Sequence, residues 1–274
     1  MNGSFLASHS IDGEVDNNNF RLHTHVHYEI YMFIDGDAEH IVEGGVYALN
    51  PMDMILLRPG EMHRVFHKSN CRYERFVLGV EDAFFKEMNC EEYKKVFWSH
   101  EPGEKNKLDG EIVLESGIYD CVTRIKKYSS NCTDMNVPAV RAAVVELLHI
   151  LNNTDDYTSE NNEHTIIKDI ISYINNHYKR ELSLSELSDE FFVSKYHLCR
   201  IFKAATGYTV NGYVSHKRIM NVKLMCDSGM NIGYACQESG FGDYSSFYKA
   251  YVKETGHSPR EGLKNKLIDK AKIT

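Results

Sequence analysis

No stretch of about 18 consecutive apolar residues occurs in this 274-residue sequence, so no transmembrane helix is expected. The first residues, Met1-Asn-Gly-Ser-Phe-Leu-Ala-Ser, lack a basic segment leading into an apolar one, and a secretory leader is not expected either. The seven cysteines (Cys71, Cys90, Cys121, Cys132, Cys199, Cys226 and Cys236) include no C-x-x-C pair, and their number is odd. That pattern speaks against a zinc finger or a disulfide frame. It suits reduced thiols in a cytoplasmic protein, most of them small buried hydrophobes. Tryptophan occurs once, at Trp98. Positive charge is scarce too: 31 Lys+Arg face 39 Asp+Glu, a net of −8. Taken as a total, that balance argues against a plain nucleic-acid binder.

The charge is unevenly spread. Residues 1–163 carry 15 Lys/Arg and 28 Asp/Glu, a net of −13, while residues 164–274 carry 16 and 11, a net of +5. Such asymmetry suggests two halves with separate tasks, one of them at nucleic acid. The length fits two domains, and 42% hydrophobic residues suffice for real cores.

Three patterns follow one another. Residues 20–80 alternate, and turn signals recur at Asp35-Gly36-Asp37, Gly44-Gly45, Asn50-Pro51 and Arg58-Pro59-Gly60, which predicts a small β-sandwich or barrel. Residues 81–151 turn helical. Val140, Val144, Leu147, Leu148 and Leu151 form one apolar stripe behind Pro138, and Ile118, Val122 and Ile125 mark a partner helix. The pair could pack on the barrel or across a dimer. Residues 152–163 are almost wholly polar and are expected to be a linker. From Ile166 onward the spacing is helical.

The basic half repeats itself. Leu184-x-x-Leu187 leads through Phe191-Phe192-Val193-Ser194 to Leu198-x-x-Ile201-Phe202 and Gly207. Ile232-x-x-Ala235 leads through Gly240-Phe241 to Phe247-x-x-Ala250-Tyr251 and Gly256. Each copy predicts a short helix, a tight turn, and a second helix closed by a C′ glycine. At 100° per residue, Leu198, Ile201, Phe202 and Ala205 face one way and Tyr196, Cys199, Arg200 and Lys203 the other. In the second copy, Phe247, Ala250, Tyr251 and Glu254 face inward, and Ser245, Tyr248, Lys249 and Val252 outward. Outward Arg, Lys, Ser and Tyr side chains suit a helix lying in a major groove. A plain solvated helix face shows similar charge, but two copies in a basic setting favour the groove. Residues 212–226, with Val214, Ile219, Val222 and Met225/Cys226 on one side, read as a connecting helix.

These residues resemble the DNA-binding domain of AraC/XylS-type transcription regulators. The resemblance rests on Leu184-x-x-Leu187, Ser194-x-Tyr196-x-Leu198-x-Arg200-x-Phe202-Lys203, Gly207, Arg218, Ile232, Gly240-Phe241-x-Asp243, Ser246-Phe247 and Lys253-x-x-Gly256-x-x-Pro259, over about 100 residues. It implies two helix-turn-helix subdomains on a connecting helix. It also implies double-stranded DNA as partner, with Ser194, Lys195, Tyr196, Cys199, Arg200, Lys203, Arg218, Tyr244, Ser245, Tyr248, Lys249 and Lys253 as contacts. Phe192 stands where that family often has glycine, Cys236 where alanine is usual, Val252 where a basic residue is common, and Gly262-Leu263 in place of a frequent Tyr-Arg.

In the acidic half, His23-Thr-His25-Val-His27-Tyr-Glu29 is followed by Pro59-Gly60-x-x-His63. On one strand, residues 23, 25, 27 and 29 would share a face. His23, His25, Glu29 and His63 are then a candidate set for a divalent metal. The same histidines could instead line a polar pocket, or bond only one another. Their spacing resembles the two cupin motifs, which implies a cupin-type barrel, the sensor found in many regulators of this kind. Tyr31 and Phe33 continue the inward parity, so Arg21, His23, His25, Glu29, Tyr31, Phe33 and His63 form the candidate effector site, with a carbohydrate as one candidate ligand. His27 and His40 are expected nearer the surface or behind the site.

The expected fold is α+β with two domains: a cupin-like β-barrel with accessory helices over 1–151, the linker 152–163, and an all-α double helix-turn-helix over 164–274. The expected protein is a cytoplasmic, homodimeric, effector-controlled transcription regulator without enzyme activity. Two alternatives share these residues. One is a metal-dependent cupin enzyme fused to a DNA-binding domain, and the other is a ligand-independent DNA binder.

Overall fold

A computed structural model of the chain describes residues 4–130, 136–155, 157–158 and 166–262. The chain divides into two compact units, the first comprising Met1–His23 and His27–Asn162, the second Glu163–Thr274 with Thr24–Val26.

Among the described residues the first unit holds nine strands: β1 Phe5–Asp12, β2 Tyr28–Asp35, β3 Ala38–Val42, β4 Gly45–Ala48, β5 Met54–Leu57, β6 His63–His67, β7 Tyr73–Val80, β8 Lys107–Leu108 and β9 Tyr157–Thr158. They form an antiparallel six-stranded sheet in the order β1-β7-β2-β5-β8-β9 and a three-stranded sheet β4-β3-β6. The expected barrel is thus a cupin-like jelly roll made of two sheets, without a closed ring of hydrogen bonds among the described residues. Burial explains the strand sequences. β3 alternates buried and half-buried residues because only one of its faces is covered. β5 reads Met-Ile-Leu-Leu and is buried throughout, because both its faces are covered.

One covered face is the interior of the sandwich, where Tyr31, Phe33, Ile55, Leu57, Tyr73 and Val77 meet Ala38, Val42, Tyr47 and Val65. The other lies under helices. Ile30, Met32, Leu56, Phe76 and Leu78 meet α1 (Asp82–Glu87), a 3-10 turn (Glu91–Lys94), α2 (Lys95–Trp98), α3 (Gly110–Glu115), α4 (Ile118–Ser130) and α5 (Val137–Asn152). The stripe expected on α5 is buried on this sheet, so the helix pair packs on its own domain. Each fully buried Leu or Val contributes about 1.5–3 kcal/mol.

Two features were not expected from the sequence. β1 pairs with β7 from Phe5↔Val80 to Asp12↔Tyr73. Tyr157 and Thr158, inside the segment expected to be a free linker, pair with Leu108 and Lys107 as the sheet's last strand.

The second unit is helical: α6 Ile166–His177, α7 Leu184–Glu190, α8 Lys195–Thr206, α9 Val210–Asp227, α10 Ile232–Glu238, α11 Tyr244–Thr255 and α12 Pro259–Gly262. Caps set the boundaries. The side chains of Ser183, Ser194, Thr209, Asn231 and Asp243 each accept a backbone N–H in the first turn of the helix they precede. Gly207 and Gly256 close α8 and α11 at φ +75°, a conformation that favours glycine.

Candidate functional site

The histidine segment is not a strand. β2 begins only at Tyr28, and the backbone of His23 makes an isolated antiparallel bridge to His63. His23 is thereby taken out of the face expected for residues 23–29. His23 and His63 bring their rings to 4.3 Å, while their Nδ1 atoms face the carbonyls of Arg21 and Glu61 at 2.9 Å each. A different trio gathers from this segment: donor atoms of His25, His27 and Glu29 all lie within 4.8 Å of one another. The imidazole of His27 rests on Gly79, where a Cβ would come within 3.0 Å of it. Two imidazoles and a carboxylate so placed are chemically suited to a divalent transition metal. Arg21 is exposed, and its Nε donates to the carbonyl of Asn18 at 3.1 Å.

His40 takes the second of its two expected places, behind the site rather than near the surface: it is 1% exposed. The inward parity of β3 carries it between Tyr31, at 4.9 Å, and His63, stacked at 5.8 Å. Burial pushes its pKa down to about 4, with Glu29 pulling it up and His23 pulling it down. Glu29, Tyr31, Phe33 and His63 are all buried. Tyr31 shares a hydrogen bond with Tyr73, and the Arg75 guanidinium stands 4.6 Å from the Tyr73 ring. His67 packs edge-on against Tyr73 at 4.4 Å, and burial lowers its pKa. The interior thus combines aromatic walls with hydroxyl and imidazole groups. His67, Tyr73 and Arg75 were missed because each sits alone in its motif, although the alternation 63-65-67 and 73-75-77 marks the inward face.

In the second unit, Ser194, Lys195, Tyr196, Cys199, Arg200 and Lys203 are all exposed, as are Tyr244, Ser245, Tyr248, Lys249 and Lys253. Leu198 and Phe202 of α8, and Phe247 and Tyr251 of α11, are buried behind them, so both helices present a polar face outward. Ala205, expected to face inward, is exposed. Tyr196, Cys199, Arg200 and Lys203 line one open hollow along α8. Arg218 is placed differently. Half-buried, it donates from Nε to the carbonyl of Tyr178 and from a terminal nitrogen to that of Arg180, 2.7 Å each.

Residues 187–265 match the model of a helix-turn-helix domain, and residues 7–94 match that of an AraC-like ligand binding domain. The chain belongs to the AraC family. It is a DNA-binding transcription regulator governed by a small-molecule effector. Among curated relatives of this AraC-family chain, the HTH-type transcriptional activator RhaS of Escherichia fergusonii is 23% identical over 270 residues, covering 93% of this chain and 91% of RhaS. RhaS of Klebsiella pneumoniae is 22% identical over 266 residues, covering 93% and 92%. Among solved structures, ToxT from Vibrio cholerae O395 aligns at 15% identity and a TM-score of 0.38, covering 95% of this chain and 97% of ToxT. No helix among the described residues is long and apolar enough to cross a membrane. Six of the seven cysteines are free thiols, and Cys132 lies outside the described residues.

Proposed function

We propose that the first unit binds a small neutral polar molecule, with carbohydrates as the leading class, at the His40–His63–Tyr31 end of its interior. The second unit reads double-stranded DNA with α8 and α11 in successive major grooves, about 34 Å apart per turn. The protein works as a cytoplasmic homodimer that binds its effector without transforming it, and the relatives named as activators favour activation. The observation that carries the effector reading is the buried His40, flanked by His63 and Tyr31 inside a domain that matches a ligand-binding model. Aromatic faces beside imidazole and hydroxyl groups suit a sugar ring. The proposed contacts are Arg21, His23, His25, Glu29, Tyr31, Phe33 and His63, with His40 added. The effector acts through its difference in affinity between two states of the protein.

The test is calorimetric titration of the full chain with mono- and disaccharides and other metabolites, followed by DNA titration with and without each ligand that binds. One sugar is expected to bind and to change DNA affinity by about 5–150-fold. His40→Ala should lose that ligand and keep the basal DNA affinity. A ligand of another class would displace carbohydrate, and tight binding without any change in DNA affinity would sink the coupling.

A second reading rests on the grouping of His25, His27 and Glu29. These residues would hold a divalent transition metal as a structural or ligand-orienting ion. Elemental analysis after exposure to zinc, nickel or manganese and desalting should find about one ion per chain under this reading. Absence of all three ions would reject it.

A further inference from the structure

α8 and α11 stand on different apolar cores. Phe247 and Tyr251 of α11 pack with Ile219 and Val222 of α9. Phe202 of α8 packs edge-on against Tyr213 of α9 at 5.4 Å and has no place in that second cluster. The two cores share α9, and a polar clamp at its middle connects them. Arg218 holds the carbonyls of Tyr178 and Arg180 at 2.7 Å each. Those carbonyls belong to the segment that leaves α6, and α6 packs on α8. The carbonyl between them, that of Lys179, faces Gly240 in the turn before α11. A Cβ on Gly240 would lie 2.2 Å from that oxygen, so only glycine allows the approach. The Arg218 guanidinium also stands 6.0 Å from the ring of Phe241. Three consecutive carbonyls thus tie the first subdomain, the connecting helix and the second turn.

The geometry points to Arg218 as a positioning residue that fixes the spacing and orientation of α8 relative to α11, rather than as a DNA contact. This rests on the reading of α8 and α11 as the DNA readers. A guanidinium fork can hold two carbonyls at once, and an ammonium cannot do so in the same geometry. Rigidly linked readers bind two half-elements as one unit, because the first contact presents the second reader at high effective concentration. A loosened clamp costs that advantage and the preference for one spacing, without removing any contact to phosphate.

The experiment uses the full chain and a duplex selected from a random library with the unmutated protein. It adds the same duplex with one or two base pairs inserted between the half-elements protected by α8 and α11, and each half-element alone. Arg218→Met should bind the parent duplex about tenfold or more weakly. Half-element affinity and the slope of log affinity against log salt should stay unchanged, and the gap between parent and insertion duplexes should narrow. Arg218→Lys should fail to restore spacing preference, and Gly240→Ala should reproduce the loss. A phosphate contact would look different: the salt slope would drop by about 0.9, parent and half-element would weaken alike, and lysine would rescue. That result overturns the proposal. If Arg218→Met does not stay folded in thermal melting, Arg218→Lys and Gly240→Ala decide, and an unchanged spacing preference in both overturns it. A footprint without protection at α8 and α11 would instead defeat the reader assignment itself.

Discussion

The phenolic oxygens of Tyr31 and Tyr73 lie 2.8 Å apart inside the sandwich, and each residue is at most 2% exposed. Removing one hydroxyl leaves the other buried without this partner. Tyr31→Phe and Tyr73→Phe should each cost about 1–3 kcal/mol, and the double variant less than their sum. Urea denaturation measures all three. Strictly additive losses would show that the two hydroxyls do not depend on each other.

His40 makes stability depend on pH. Its native pKa lies at about 4 because burial disfavours the charged ring, against about 6.5 in an unfolded chain. The unfolded state therefore takes up the proton first as pH falls. The contribution of His40 is complete above pH 6.5 and is lost as pH drops through 4, up to about 3 kcal/mol. His40→Asn should flatten the stability curve between those values. A curve as steep as that of the unmutated chain would assign the dependence elsewhere.

Phe192 stands at φ +53° and is 95% exposed, so it bears backbone strain and buries almost nothing. Gly240, its counterpart in the second turn, has φ +86°. Phe192→Gly should stabilise the second unit by about 1 kcal/mol, read as a higher melting temperature. A lower melting temperature would mean that the phenyl ring makes a contact worth more than the strain.

Arg200 and Ser194 should separate recognition from folding. Arg200 is exposed at the middle of α8, its guanidinium 3.4 Å from His197 Nδ1. Arg200→Ala should weaken specific DNA binding by about 1–3 kcal/mol and leave the melting temperature within error. Ser194 accepts the His197 backbone N–H at 3.2 Å as the cap of α8. Ser194→Ala should cost about 1 kcal/mol of stability. If Arg200→Ala melts early and binds normally, the recognition role fails.

The sequence determined the second unit almost completely. Two helix-turn-helix copies, their caps and their closing glycines are local matters of helical period, side-chain caps and left-handed glycine, and these can be read within a few residues. The alternating stretch likewise announced a sheet protein, and the apolar stripe of α5 announced a packed helix. Long-range pairing was decided only in three dimensions. The pairing of β1 with β7 joins residues some seventy positions apart, and Tyr157 and Thr158 complete a sheet begun in the N-terminal segment. Nothing local in a polar stretch signals that an edge strand awaits it. The histidines show the same limit. A regular strand through residues 23–29 would have aligned them, but the chain enters β2 only at Tyr28. His23 therefore pairs with His63 instead of joining His25, His27 and Glu29, while His40, from the opposite sheet, is carried into the interior beside His63. Arg218 reads like a basic DNA contact in its motif. Its partners are backbone carbonyls about forty residues away, which only the packing of α6 against the connecting helix brings within reach.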